Sequence, residues 1–139
     1  MAGSLTLTTA QWQLITEHLE SVLPNEACGL LAGRDGRAHK VYLITNARHS
    51  PVRYEMEPGE LIRAIIDIEE RGWDLIGIFH SHPAGPPTPS PTDVAEAYYP
   101  DSAYVICSLV GGQWAARAFE IRGGDVREIG LTIEPSNAG

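Results

Sequence analysis

The residues best suited to chemistry lie in one run, His80-Ser81-His82-Pro83-Ala84-Gly85-Pro86-Pro87-Thr88-Pro89-Ser90-Pro91-Thr92-Asp93. Residues i and i+2 of an extended chain point to the same side, so His80 and His82 at the mouth of a strand can turn both imidazoles toward one ion. That spacing is wrong for one helix face. Zinc accepts nitrogen and oxygen ligands in a tetrahedron, and three protein ligands with an open fourth position is the catalytic arrangement. Asp93 supplies the third ligand if the loop folds back. Prolines at 83, 86, 87, 89 and 91 stiffen that loop and reduce the entropy lost on ordering it. A carboxylate far upstream, Glu26, is available as a base to take a proton from water and return it to a leaving amine. These residue types predict a metal-dependent hydrolase with one zinc per chain.

Ser90-Pro91-Thr92-Asp93 also has a structural meaning, a capping box with proline at the first helical position. A short helix beginning there puts Asp93 in its first turn, close to the strand mouth.

The elements that must position these groups can be read from hydrophobic periodicity. After the alternating segment Leu5 to Thr9, residues Trp12, Ile15, Leu19 and Val22 recur at spacings of three and four and predict one amphipathic helix, ended by Pro24-Asn25. Ala27 to Ala32 reads as a buried strand, Asp35-Gly36 as a turn, and Val41 to Ile44 as the returning strand. Glu57-Pro58 starts a second helix, whose Leu61, Ile65 and Ile68 face a sheet. Trp73 to Phe79 is the most hydrophobic strand and is expected to be central, with His80 where it ends. Tyr104 to Leu109 and Trp114 to Ile121 flank Gly111-Gly112, and Gly123-Gly124 leads to a last strand with Ile129, Leu131 and Ile133 alternating. This order predicts an α/β fold, a mixed, curved sheet flanked by helices. One domain over residues 1–134 is expected, with 135–139 a flexible tail.

The chain has 139 residues and a formal charge of -8, from 18 acidic against 10 basic residues, with no basic stripe to follow a phosphate backbone. Nucleic acid and anionic membranes are excluded as expected partners, and no apolar window approaches the length of a membrane span. Cys28 and Cys107 lie in apolar stretches without a C-x-x-C pair, so buried free thiols and a cytoplasmic protein are expected. His18, His39 and His49 are scattered and read as surface or locally satisfied.

One further set of residues is specific as a set: Glu26-Ala27-Cys28-Gly29-Leu30-Leu31-Ala32-Gly33, then His80-Ser81-His82, seven residues from Pro83 to Pro89, and Ser90-x-x-Asp93. It resembles the JAMM (MPN-plus) metalloprotease family, whose pattern is a distant Glu followed by H-x-H-x(7)-S-x-x-D, and every signature position is present. The resemblance runs from about Leu5 to Val110. It implies a cytidine-deaminase-like JAMM/MPN architecture in which His80, His82 and Asp93 hold zinc, Glu26 is the general acid and base, and Ser90 donates to the developing oxyanion. It also implies a peptidase or isopeptidase acting after the C-terminal Gly-Gly of a ubiquitin-like or sulfur-carrier protein, by deconjugation or by removing an adduct such as cysteine. The oligomeric state is left open, a homodimer included.

The alternatives are a catalytically inert scaffold of the same fold that binds ubiquitin-fold partners, and a RadC-like protein, whose usual helix-hairpin-helix region is missing. A thiol protease on Cys28 lacks spaced partners. A zinc deaminase would need His-x-Glu and Pro-Cys-x-x-Cys, and neither occurs.

Overall fold

The computed structural model describes residues 3–136. Its elements run β1 (Ser4–Thr8), α1 (Thr9–Ser21), β2 (Cys28–Arg34), β3 (Arg37–Ile44), α2 (Pro58–Glu70), β4 (Asp74–His82), α3 (Pro91–Ala95), β5 (Ala103–Val110), β6 (Gln113–Arg122) and β7 (Asp125–Glu134). This is the expected order of elements. The helix starts follow local chemistry: Thr8 and Gln11 form a capping box on α1, and the Glu57 carboxylate accepts the amides of Gly59 and Glu60 ahead of α2, with Pro58 in the first turn. At the β2–β3 turn both central residues, Asp35 and Gly36, have positive φ (52° and 75°), the geometry that matches the twist of a two-residue hairpin.

The sheet is mixed and curved, as expected, but it closes. The strand order is β1-β3-β2-β4-β5-β6-β7, and β1 pairs in parallel with β7 from Ser4↔Gly130 to Thr8↔Glu134. The seam on the other side of β1 is slight, one register pair with β3, Thr6↔Arg37. There α1 spans the gap, and Gln11 Nε2 donates to the Ala38 carbonyl at 2.9 Å. β4 is paired on both sides, antiparallel with β2 and parallel with β5.

Alternation along the strands gives the sheet two apolar faces. Leu31, Phe79, Val105 and Cys107 pack with Ile15 and Leu19 of α1. Leu30, Ile78, Tyr104 and Ile106 pack with Ala64 and Ile68 of α2. Gly29 lets two strands and a ring meet: a Cβ there would lie 2.3 Å from the Tyr42 carbonyl oxygen and 2.4 Å from the Phe79 ring.

Strand β4 runs past Phe79. Because β5 keeps pairing with it through His80↔Ile106 and His82↔Ser108, both histidines stand on the strand itself, not beyond its end. Of the tail, Pro135 and Ser136 are described: the Ser136 hydroxyl accepts the Ala10 amide at 2.9 Å, and the Ser136 amide donates to Thr9. Residues 137–139 lie outside the described residues. No helix among the described residues is long and apolar enough to cross a membrane.

Candidate metal centre

His80 and His82 continue the face of β4 that Ile78 begins, the face toward α2, while Ser81 turns the other way. Ser81 accounts for the approach of Glu26. Its hydroxyl accepts the Ala27 amide at 2.8 Å and its amide donates to the Ala27 carbonyl at 3.0 Å. That exchange extends the β2–β4 ladder one step beyond Cys28↔His80 and sets Glu26, 5% exposed, at the strand end beside the histidines. In the sequence Ser81 stands only as the residue between two candidate ligands, and period two alone places it on the opposite face of β4.

The loop after His82 does fold back. Ser90 caps α3, its hydroxyl accepting the Asp93 amide at 3.0 Å while the Asp93 carboxylate accepts the Ser90 amide at 2.8 Å. The capping box therefore aims the Asp93 carboxylate. Its two oxygens lie 3.1 Å from His80 Nε2 and 3.0 Å from His82 Nε2, and the two Nε2 atoms are 3.0 Å apart. His80, His82 and Asp93 form a group whose ligand atoms lie within 4.8 Å of one another, the one such group among the described residues.

The donor set fits a cation. His82 Nδ1 is 2.8 Å from the Pro86 carbonyl, which can only accept, so Nδ1 carries the proton and the neutral ring presents a lone pair at Nε2. That lone pair faces a carboxylate oxygen and a second imidazole nitrogen. Acceptors meeting at these distances repel unless a proton or a metal ion lies among them. Burial lowers the pKa of His80, favouring the neutral ring a metal requires. Burial also disfavours the His82 cation, but Asp93, the Pro86 carbonyl and Glu26 outweigh it and raise its pKa. Against the effect of burial, the close imidazoles of His80 and His82, with the Ser90 amide, hold the Asp93 carboxyl well below the usual carboxylate range. Burial pushes Glu26 up to about 7, with His82 opposing and Asp93 reinforcing the shift. A carboxyl near neutrality beside such a cluster is suited to moving protons in both directions.

Two residues absent from the sequence expectations complete the site. The ring of Tyr54 stacks on His80, with centroids 4.5 Å apart. Asn46, 8% exposed, ties that tyrosine's loop to Glu26: its amide nitrogen donates to the carbonyls of Glu26 and Arg53 at 3.0 Å, and its oxygen accepts the amides of Arg48 and Glu55 at 2.9 and 3.0 Å. Neither had a spacing signal, because the loop closes on itself through Asn46↔Met56. Cys28 and Cys107 are buried thiols, each pushed up to about 12 by burial, as expected of inert structural cysteines. His18 is locally satisfied, its Nε2 lying 3.1 and 3.2 Å from the carbonyls of Cys28 and Ile44.

A profile of prokaryotic homologs of the JAB domain matches residues 8–121, a span that includes Glu26, both histidines, Ser90 and Asp93. The chain belongs to that family. This JAB domain is 38% identical over 115 residues to a desampylase from Haloferax volcanii, with 80% of each chain covered. It is 35% identical over 116 residues to a CysO-cysteine peptidase from Mycobacterium tuberculosis, covering 82% of this chain and 77% of that one. The solution structure of a protein from Desulfitobacterium hafniense matches it with a TM-score of 0.85 and 37% identity, over 96% of this chain and 95% of that one. The JAB domain thus shares its fold with the Desulfitobacterium hafniense protein and carries a His-His-Asp cluster consistent with a metal site, and its relatives include a desampylase and a CysO-cysteine peptidase.

Proposed function

We propose that this JAB domain, a single domain over residues 1–134, is a zinc-dependent peptidase or isopeptidase that cleaves after the C-terminal Gly-Gly of a ubiquitin-like or sulfur-carrier protein in the cytoplasm. The observation that carries the reading is the meeting of His80 Nε2, His82 Nε2 and the Asp93 carboxylate within about one ion's coordination shell, with the Glu26 carboxyl raised to about 7 beside them. The names of the desampylase and of the CysO-cysteine peptidase support the substrate class.

In this reading His80, His82 and Asp93 hold the ion, which when bound supplies Lewis acidity toward a carbonyl and a lowered pKa for water. Glu26 takes the proton of the attacking water and passes it to the departing amine. The water oxygen joins the glycine carbonyl carbon, and the C–N bond breaks. Ser90 gives one lone pair to the Asp93 amide, which leaves its hydroxyl hydrogen free to donate to the oxygen that gains charge. Burial of Glu26 at 5% exposure keeps competing water from the proton path.

The test is to incubate the zinc-loaded protein with a carrier bearing one residue after Gly-Gly, and with a lysine-linked conjugate of the same carrier, with and without a chelator. Release of a carrier ending in Gly-Gly, abolished by the chelator, is the expected result. An inert scaffold would bind the carrier and leave both substrates whole.

A further inference from the structure

Beside His80 the sheet face opens into a cavity of about 480 Å³. Its floor is Leu30 and Ile78, the residue two positions before His80 on the same face of β4, and one wall is Tyr54, whose ring lies on His80. No residue of the cluster itself lines the cavity; the Tyr54 ring is shared, one side on His80 and the rest in the cavity wall, and so joins the two. Its size falls within the roughly 300–1,000 Å³ of small-molecule sites and excludes a folded protein.

The charge of this lining departs from that of the chain. Arg48 and Arg53 both line the cavity, and neither joins an ion pair among the described residues, although acidic residues outnumber basic ones 18 to 10. Their backbones are fixed, because the Asn46 side chain accepts the Arg48 amide and donates to the Arg53 carbonyl, while Ala47 and Glu55 close the loop at 2.8 Å. A guanidinium presents a planar fork of donors that matches a carboxylate, and holding its loop in advance reduces the ordering cost of using it. Tyr104 adds a neutral donor, since its oxygen accepts the Tyr99 amide and its hydroxyl hydrogen is left over. Glu55 and Glu96 also line the cavity and balance the two arginines, so selection of an anion there rests on the guanidinium forks and not on the net charge of the lining.

We propose that this cavity receives the residue released by cleavage and reads its free α-carboxylate through Arg48 and Arg53, so that the JAB domain removes a single C-terminal amino acid from its carrier in preference to freeing the carrier from a protein lysine. The inference rests on the peptidase reading of the neighbouring cluster and chooses between its two substrate types. An amino acid joined through its amine to the carrier's last glycine carries a carboxylate two bonds from the scissile nitrogen. A lysine in the middle of a protein offers only neutral peptide groups, at the far end of a four-carbon stem.

Binding to the zinc-loaded Glu26→Gln protein tests this without requiring turnover. Two tail peptides are compared, identical through Gly-Gly-Ala but ending in a free acid or in a carboxamide. The acid should bind about tenfold or more tightly, the range of a charge-assisted hydrogen bond. In an Arg48→Gln/Arg53→Gln double variant on the same background that ratio should fall toward about one, with lysine at both positions restoring part of it. Equal binding of acid and amide overturns the proposal. So does a ratio that survives the double variant, which would place the carboxylate on the metal, and so does a variant that weakens both peptides equally, which would give the arginines to the carrier tail. Hydrolysis by the wild-type protein is scored separately: a preserved binding ratio without cleavage would contradict the peptidase reading and leave the carboxylate pocket standing.

Discussion

The ring of Tyr54 lies on the imidazole of His80, with centroids 4.5 Å apart and planes 26° from parallel. A metal-bound histidine usually donates its second nitrogen to a neighbour that fixes the ring. His80 Nδ1 is instead buried with no hydrogen-bond partner among the described residues. The Tyr54 stack supports the face of that ring, while Asp93 meets its Nε2 at 3.1 Å. Tyr54→Ala should weaken zinc binding about two- to tenfold, the worth of one aromatic contact, while Tyr54→Phe should leave it nearly intact. Zinc competition against a chromophoric chelator measures both, and equal affinities across the series would show that the strand alone sets the ring.

Glu26 gives a pH signature with a definite sign. Its pKa in the folded chain is about 7 against an ordinary 4.5, so the metal-free fold favours the protonated carboxyl. The associated stability is fully present below about 4.5 and is lost as pH rises through about 7. Metal-free wild type should therefore lose stability relative to Glu26→Gln over that interval, as followed by denaturant titration at several pH values. With zinc bound, kcat/KM should rise with pH along a limb lying below the metal-free value, because a nearby cation favours the carboxylate. Glu26→Gln should abolish turnover and keep its zinc.

Ser90 has two duties that substitutions can separate. Its oxygen caps α3 and its hydroxyl hydrogen is free for the reaction. Ser90→Ala should lower stability by about 1 kcal/mol, whereas Ser90→Gly, a tolerable cap, should lower it by only a few tenths. Both should reduce turnover by roughly 10²-fold if the hydroxyl serves the oxyanion. Turnover that follows stability across the pair would leave Ser90 as a cap alone.

Asn46 uses both amide hydrogens and two oxygen lone pairs at once, on Glu26, Arg53, Arg48 and Glu55. Asn46→Ala strands those groups where water reaches only some of them, and should lower stability by about 1–3 kcal/mol. The same variant should slow turnover more than it lowers zinc affinity, since the anchor is on Glu26 and not on a ligand. Thermal melts beside zinc titrations and rates decide this. A loss of zinc in proportion to rate would mean that the loop supports the cluster as a whole.

The parts legible in the sequence were those set by local rules. Glu57-Pro58 opened α2 as a cap and first-turn proline, Asp35-Gly36 turned the β2–β3 hairpin, and Ser90 to Asp93 began α3, because each depends on neighbours within four positions. His80 and His82 fell on one face because period two survives any register. Closure was not legible: Ser4↔Gly130 joins the two ends of the chain, and neither alternating segment names its partner. The strand end was misplaced at Phe79 since histidine and serine do not read as apolar, yet pairing with β5 carries β4 through His82. Tyr54 and Asn46 stayed hidden because their importance arises from a loop whose path is set by side-chain hydrogen bonds rather than periodicity.

The most direct test of the whole account is the zinc content of the purified chain, measured by elemental mass spectrometry after zinc-replete expression and desalting. The cluster predicts about one zinc per chain in wild type and in Glu26→Gln, and loss of that zinc in His80→Ala/His82→Ala and in Asp93→Ala. Less than about 0.2 zinc per chain in wild type, or undiminished zinc in the ligand variants, would contradict it.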